Sequence, residues 1–207
     1  MDFETCADTP TSKRAQSKAA NRTAILEAGR RVFARAGFEA TTVRDIIRET
    51  DLAAGTFYNY FKSKEQVFAA IAEDSTHRFR HQMEHVREST TSLEDYIRAA
   101  YTAYFSFIAE ENIEAIAGGA PHIALIGVRI DTPEMEAVTD EIRMDIERVL
   151  DNASAPDLDT EYLTAAAVGI AREMGDHMLK RRPVDAEAAA RFATQLLLAG
   201  AAAVTIP

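Results

Sequence analysis

Between Leu52 and Glu65 the sequence gathers side chains suited to meeting a nucleic-acid duplex. Ala54, Gly55, Thr56 and Asn59 are small or hydrogen-bonding and fall on the side of a short helical pattern opposite Leu52, Phe57 and Phe61. Ala54 and Gly55 allow close approach, Ala54 can meet a thymine methyl, and an amide such as Asn59 can pair with a base edge. Tyr58 and Tyr60 each join a flat apolar ring to a hydroxyl that can donate to phosphate. Lys64 opens the next helical pattern, adding a positive charge beside backbone N–H groups already suited to an anion. The chemistry implied is recognition of double-stranded DNA.

Such a surface needs a scaffold that fixes its angle to the duplex. Thr42 can cap a second helix with Asp45 at the capping-box position and Val43, Ile46 and Ile47 facing inward. A turn at Asp51-Leu52 leads to a short third helix through Phe61. Ahead of it, Ile25, Ala28, Gly29, Val32, Phe33 and Ala36 recur at helical spacing from about Ala20, and Gly37 is a natural stop. Ser63 caps a long fourth helix over Lys64–Arg87, with Gln66 three residues on. Val67, Phe68, Ile71, Ser75, Phe79, Met83 and Val86 form its inner stripe. Two short helices, a tight turn and clustered aromatics predict a helix-turn-helix.

The remainder reads as further helices: Leu93–Glu110, a less regular Ile113–Val128, Pro133–Leu150, Thr160–Lys180 and Asp185–Thr205. No strand-like alternation of useful length interrupts them, so the chain is predicted to be all-α. Three parts are expected: a disordered arm over 1–19, a DNA-binding domain over 20–65, and an effector-binding and dimerisation domain over 66–207.

The net charge of −10 argues against DNA until its distribution is considered. Up to Gln82 about 13 Lys and Arg face about 11 Asp and Glu, whereas beyond it about 10 face about 22. Within Lys13–Arg35, Lys13, Arg14, Lys18, Arg22, Arg30, Arg31 and Arg35 meet only Glu27, and local basic density governs phosphate contact. The one cysteine, Cys6, permits no internal disulfide. No apolar run reaches the ~18 residues of a membrane span, and no secretory signal is visible. A cytoplasmic protein without a membrane partner is expected.

Ile25-Leu26, Phe33, Gly37-Phe38, Thr41-Thr42-Val43, Ile46 and above all Gly55-Thr56-Phe57-Tyr58-Asn59-Tyr60-Phe61-Lys62-Ser63-Lys64-Glu65 resemble the DNA-binding domain of the TetR family of bacterial transcription regulators. The resemblance is specific over about residues 20–72. It implies that Thr42, Arg44, Thr56, Tyr58, Tyr60 and Lys64 fall on positions that family members use to touch DNA. Two departures stand out. Asp51 replaces the usual turn glycine, and Ala53 replaces the usual Ser or Thr cap, a loss of about 1 kcal/mol locally. The reading face is thus sparse, and base selection is expected to fall on Arg44 and Asn59, with Thr56 choosing between methyl and hydroxyl contact.

A small helix-turn-helix reads few base pairs, so a palindromic operator read by two copies is expected. The resemblance implies a homodimer held by a four-helix bundle from about 160–180 and 185–205, both rich in Ala and Gly. It also implies an effector held among the middle helices. There Tyr96, Ile97, Tyr101, Tyr104, Phe105, Phe107 and Ile108 form an aromatic stripe, a pattern more often core than pocket. Tyr101, Tyr104, Phe105, Ile108, Ile126, Ile142 and Met174 are candidate apolar contacts, and His122, Arg129, Arg172 and His177 candidate polar ones. Met135 and Val138 are further candidate walls. A lipophilic small molecule, fatty acyl or aromatic, is the effector expected, and a repressor that it releases is the function expected.

Other signals carry less. His77, His81 and His85 lie out of phase with the apolar stripe, so a solvated face is favoured and no metal is expected. Glu110-Glu111, Glu134/Glu136 and Asp140-Glu141 read as exposed helix faces. No phosphate loop, nucleophile elbow or zinc-protease run is present, so neither catalysis nor a cofactor is expected. The rival readings are an enzyme in the acidic part and a helical interaction protein whose head has lost DNA binding.

Overall fold

In a computed structural model of the chain, residues 13–117, 133–152 and 158–204 are described. Among them the regular elements are all helical: α1 (Lys13–Ala36), α2 (Val43–Arg48), α3 (Ala54–Tyr58), α4 (Lys64–Ser89), α5 (Leu93–Glu111), α6 (Ile113–Ala117), α7 (Pro133–Asn152), α8 (Thr160–Lys180) and α9 (Ala186–Ala203). No described helix is long and apolar enough to cross a membrane.

The polar signals that predicted helix starts act as physical caps. Thr42 Oγ1 accepts from Asp45 N–H at 3.3 Å, and Asp45 Oδ2 accepts from Thr42 N–H at 2.9 Å, completing the capping box. Ser63 accepts from Gln66 N–H, whereas the Gln66 side chain reaches back to Lys62 N–H at 2.7 Å. Ala53 precedes α3 with no side-chain cap, as its methyl dictates. Thr50 holds the turn instead, donating to Ile47 O at 2.8 Å and accepting from Leu52 N–H at 3.2 Å. Gly37, at φ 81, closes α1 in the left-handed region that glycine enters without steric cost.

Two boundaries differ most from expectation. α1 begins at Lys13, so residues 13–19, assigned by their polarity to a disordered arm, are helical and exposed. This stretch contains no Gly or Pro and several strong helix formers, and it continues a helix anchored further on by Ile25, Val32 and Phe33. α3 ends at Tyr58 rather than Phe61, because Asn59–Phe61 form the turn that redirects the chain into α4.

Two separate cores result. Ile25, Val32, Phe33, Ile46, Phe57, Phe61, Val67 and Ile71 build the head. Phe79, Met83, Tyr96, Ile97, Tyr101, Tyr104, Phe105, Ile108, Val138, Ile146, Leu163 and Leu197 lead the larger body core. The helix α4 belongs to both, giving Val67 and Ile71 to the first and Phe79 and Met83 to the second.

Between the cores sits a charged seam. Arg30 of α1 donates to Asp74 at 2.6 Å, Glu111 at 2.7 Å and Ser75 Oγ at 3.0 Å. Glu111 also accepts from Ser75 Oγ at 2.5 Å and from Arg78 at 2.6 Å. Glu111 was expected on an exposed face, yet its side chain is only 11% exposed. Likewise Glu141, at 19%, pairs with Arg80 and Arg87. A run of carboxylates shows how hydrophilic a helix face is, but not which cations the fold brings across it.

Candidate nucleic-acid interface and effector cavity

The expected reading residues lie on α2, on α3 and the turn after it, and at the start of α4. Thr42, Arg44, Ala54, Gly55, Tyr58 and Asn59 are exposed, and Thr56, Tyr60 and Lys64 are half-buried. Phe57, buried completely, and Ile46 beneath them fix α3 to the core. The Phe57 ring meets Tyr58 edge-on at 5.5 Å, which orients the exposed phenol. A Cβ added at Gly55 would meet nothing within 4 Å, so the surface there is open to an approaching groove. Thr42 combines exposure with its capping role. The neighbouring Asp45 is held below the usual carboxylate range by the Thr42 hydroxyl, then by the Thr42 backbone N–H.

Lys64 is the most committed of these side chains. Its ammonium donates to Phe38 O at 2.8 Å and Glu39 O at 3.1 Å, and lies 4.5 Å from the centre of the Phe38 ring. It ties the α1–α2 connection to the start of α4 and keeps a third donor for an anion. Spacing alone placed it beside a helix N-terminus but could not show these carbonyls.

In the body, α4, α5, α7 and α8 enclose a cavity of about 470 Å³. Of the residues expected to hold an effector, Tyr101, Tyr104, Ile142 and Arg172 line it. Phe105 and Ile108 pack in the surrounding core, and Met174 lies half-buried against it. His177 is exposed and outside the lining. His122, Ile126 and Arg129 lie outside the described residues.

Sequence reasoning had placed Met135 and Val138 near an effector. Met135 lines the cavity, whereas Val138 is buried in the core beside it. It had not assigned Phe79, Met83 or Ala171 to the cavity; the first two stood on the α4 stripe, where core and wall look alike. The inner phenols are tied to the protein. Tyr101 donates to Ala167 O at 3.1 Å, and Tyr96 to the buried Asp145 at 3.3 Å. Burial pushes the Tyr101 hydroxyl well above its ordinary value, and burial and then the Asp145 charge do the same to Tyr96. Both are therefore neutral walls. Among the described lining residues, charge is confined to Glu136, Asp140 and Arg172, which are exposed.

On the outside of the body, α8 and α9 carry Tyr162 at 78% exposure, Phe192 at 60% and Leu196 at 52%. Gly169 and Gly200 are open on it, with nothing within 4 Å of an added Cβ. Among the described residues no group of three His, Cys, Asp or Glu is placed to hold a metal ion.

The molecule is thus an all-helical protein in which a helix-turn-helix head is joined by one long helix to a hollow helical body. Residues 25–71 match the family model described as "Bacterial regulatory proteins, tetR family". The HTH-type transcriptional repressor KstR2 of Mycolicibacterium smegmatis is 28% identical over 109 residues, 53% of this chain and 51% of that protein. The chain spans between 17% and 51% of the length of the curated relatives it matches. Its fold is shared with the fatty acid degradation regulator FadR of Bacillus halodurans, with TM-score 0.71 and 20% identity over 86% of this chain and 94% of that one. It is shared equally with FadR of Bacillus subtilis, solved in complex with stearoyl-CoA, with TM-score 0.68 and 19% identity over 86% and 98%.

Proposed function

We propose that the protein is a homodimeric transcriptional repressor that binds a palindromic operator through α2 and α3 and is released by a lipophilic small molecule held in the body. The observation that carries the reading is the division of labour along α4, which supplies Val67 and Ile71 to the head core and Phe79 and Met83 to the cavity wall. A ligand that displaces Phe79 or Met83 acts on the same rigid rod that positions Lys64 and the head.

Arg44 and Asn59 read base edges, Thr56 chooses between methyl and hydroxyl contact, and Tyr58, Tyr60, Thr42 and Lys64 hold the backbone. Ala54 and Gly55 admit the groove. The exposed apolar side chains of α8 and α9 bury against a second copy, which sets the spacing of the two heads. The effector shifts the population of head spacings only by its differential affinity for them.

A ~470 Å³ cavity whose inner walls are neutral suits an acyl chain or a fused-ring hydrocarbon, and the solved relative that holds stearoyl-CoA supports that choice of class. The test selects a duplex from a random-sequence pool and titrates it with protein, alone and with stearoyl-CoA or free stearate as probe. A palindromic selected site whose affinity falls with a probe supports the reading. No sequence preference overturns the regulator, an affinity unmoved by either probe overturns the acyl effector, and a monomer in light scattering overturns the dimer.

A further inference from the structure

The seven cations of α1 do not share one fate. Arg30 is bound by Asp74 and Glu111, and Arg31 and Arg35 are both bound by Glu49, at 3.1 and 3.0 Å. Glu49 is in turn held below the usual carboxylate range by Arg35 and then Arg31. The carboxylates of the head and seam thus neutralise the C-terminal half of the helix. Its N-terminal half differs. Lys13, Arg14, Lys18 and Arg22 are exposed, and among the described residues no carboxylate pairs with them.

The spacing of these four is locally unfavourable. Arg14, Lys18 and Arg22 follow one another at i, i+4 and i+8, where like charges repel. Lys13 and Arg14 occupy a first helical turn that has no acidic residue, the end where a positive charge opposes the helix dipole. What gathers around them is a cleft: Arg14, Ser17, Lys18 and Asn21 on one wall, Asn59 and Tyr60 on the other. Arg22 continues the row one turn on, with its guanidinium 5.7 Å from the centre of the Phe61 ring. The cleft therefore adjoins the candidate reading surface and shares Asn59 and Tyr60 with it. Among the described residues it offers cations, amides and hydroxyls and no acid.

We infer that this cleft is a second DNA-backbone site, in which Arg14 and Lys18 bind phosphates flanking the bases met by α3. The inference rests on the regulator reading above and extends it to residues that the helix-turn-helix does not contain. An anion removes the repulsion within the row and is attracted to the helix N-terminus. Tyr60, on the far wall, holds the same strand in register with Asn59. The contribution is sequence-independent, because phosphates carry no base identity.

The experiment measures affinity of the full chain for its selected duplex as salt is raised, with three proteins: the parent, Arg14→Ala/Lys18→Ala, and a control, Lys180→Ala/Arg181→Ala. The control removes the same charge from the exposed end of α8. Each phosphate contact contributes about 0.9 to the slope of log affinity against log salt. The cleft variant is expected to lower the slope by about 1.8 while keeping the parent's ranking of single-base operator variants. The control is expected to keep the parent slope. An unchanged slope in the cleft variant, or an equal drop in the control, overturns the cleft. A cleft variant that binds with the reduced slope but an altered base ranking overturns its assignment as a backbone site. A parent that selects no sequence overturns the regulator reading and the cleft with it. Both cleft side chains are exposed and outside the core, so loss of folding does not confuse the result.

Discussion

The outer surface of the head and the seam behind it are built from the same kinds of residue and treat them in opposite ways. At the seam, Arg30, Ser75, Arg78, Asp74 and Glu111 satisfy one another in a closed network. On the outer surface, Arg44, Asn59, Arg14 and Lys18 project to solvent around open Ala54 and Gly55. Burial of Arg30, Ser75 and Glu111 makes the difference, with Asp74 and Arg78 completing the network from its rim. A charge taken out of water must be paired, whereas one left in water can wait for an external partner. Pairing thus marks the polar residues that hold the molecule together, and exposure marks those available for recognition.

If the head core is what keeps the outer surface flat and aimed, its removal should abolish both. Phe57→Ala empties a fully buried site beneath α3 and is expected to cost about 3–5 kcal/mol. Denaturant unfolding followed by circular dichroism should show the loss, and operator binding should disappear with it. A variant that unfolds at the parent midpoint would mean that α3 is not anchored through this ring.

The seam predicts a smaller loss with a different distribution. Arg30→Ala takes a charged donor from Glu111 and Asp74 and is expected to cost about 1–3 kcal/mol. Arg35→Ala breaks a pair whose arginine is 64% exposed, so its cost should stay below about 1 kcal/mol. Equal midpoints for the two variants would erase the distinction between seam and surface.

The sequence was legible where the interaction is local. Thr42 with Asp45, Ser63 with Gln66, and the apolar stripes of α1 and α4 all act within one or two turns, so periodicity and residue type reveal them. The Arg30–Glu111 contact spans 81 positions, and nothing near either residue names the other. The available hint was Ser75, a hydroxyl standing in an apolar stripe, which is only 1% exposed and bridges those two charges. The cavity was only partly legible for a related reason. A stripe such as Tyr101, Tyr104, Phe105 and Ile108 has one chemistry whether it faces a neighbour or a void, and only the packing of α7 and α8 decides which.

Gly55 separates recognition from stability more cleanly than any charge. Its Cβ position is open and it lies within α3, so Gly55→Ala should hold or raise stability by up to about 1 kcal/mol. The same methyl obstructs close approach of a base pair, and operator affinity should fall at least tenfold, about 1.4 kcal/mol. Binding that survives intact would remove α3 from the interface while leaving the fold untouched.

The smallest expected effect is acid sensitivity of the α2 cap, which belongs to the surface yet behaves like the seam. Asp45 and Glu49 both ionise more readily in the folded chain than a free carboxylate does, through Thr42 and through Arg35 and Arg31 respectively. The unfolded chain therefore takes up protons first as pH falls. Stability from these groups is complete above the ordinary carboxylate range and is lost as pH drops through their lower folded values. Asp45→Asn should accordingly lower the thermal midpoint at neutral pH, with the gap from the parent closing toward about pH 3. A gap that stays constant down to that pH would mean that shape rather than charge makes the cap. Asp45 would then join the exposed residues that take no electrostatic part in holding the head together.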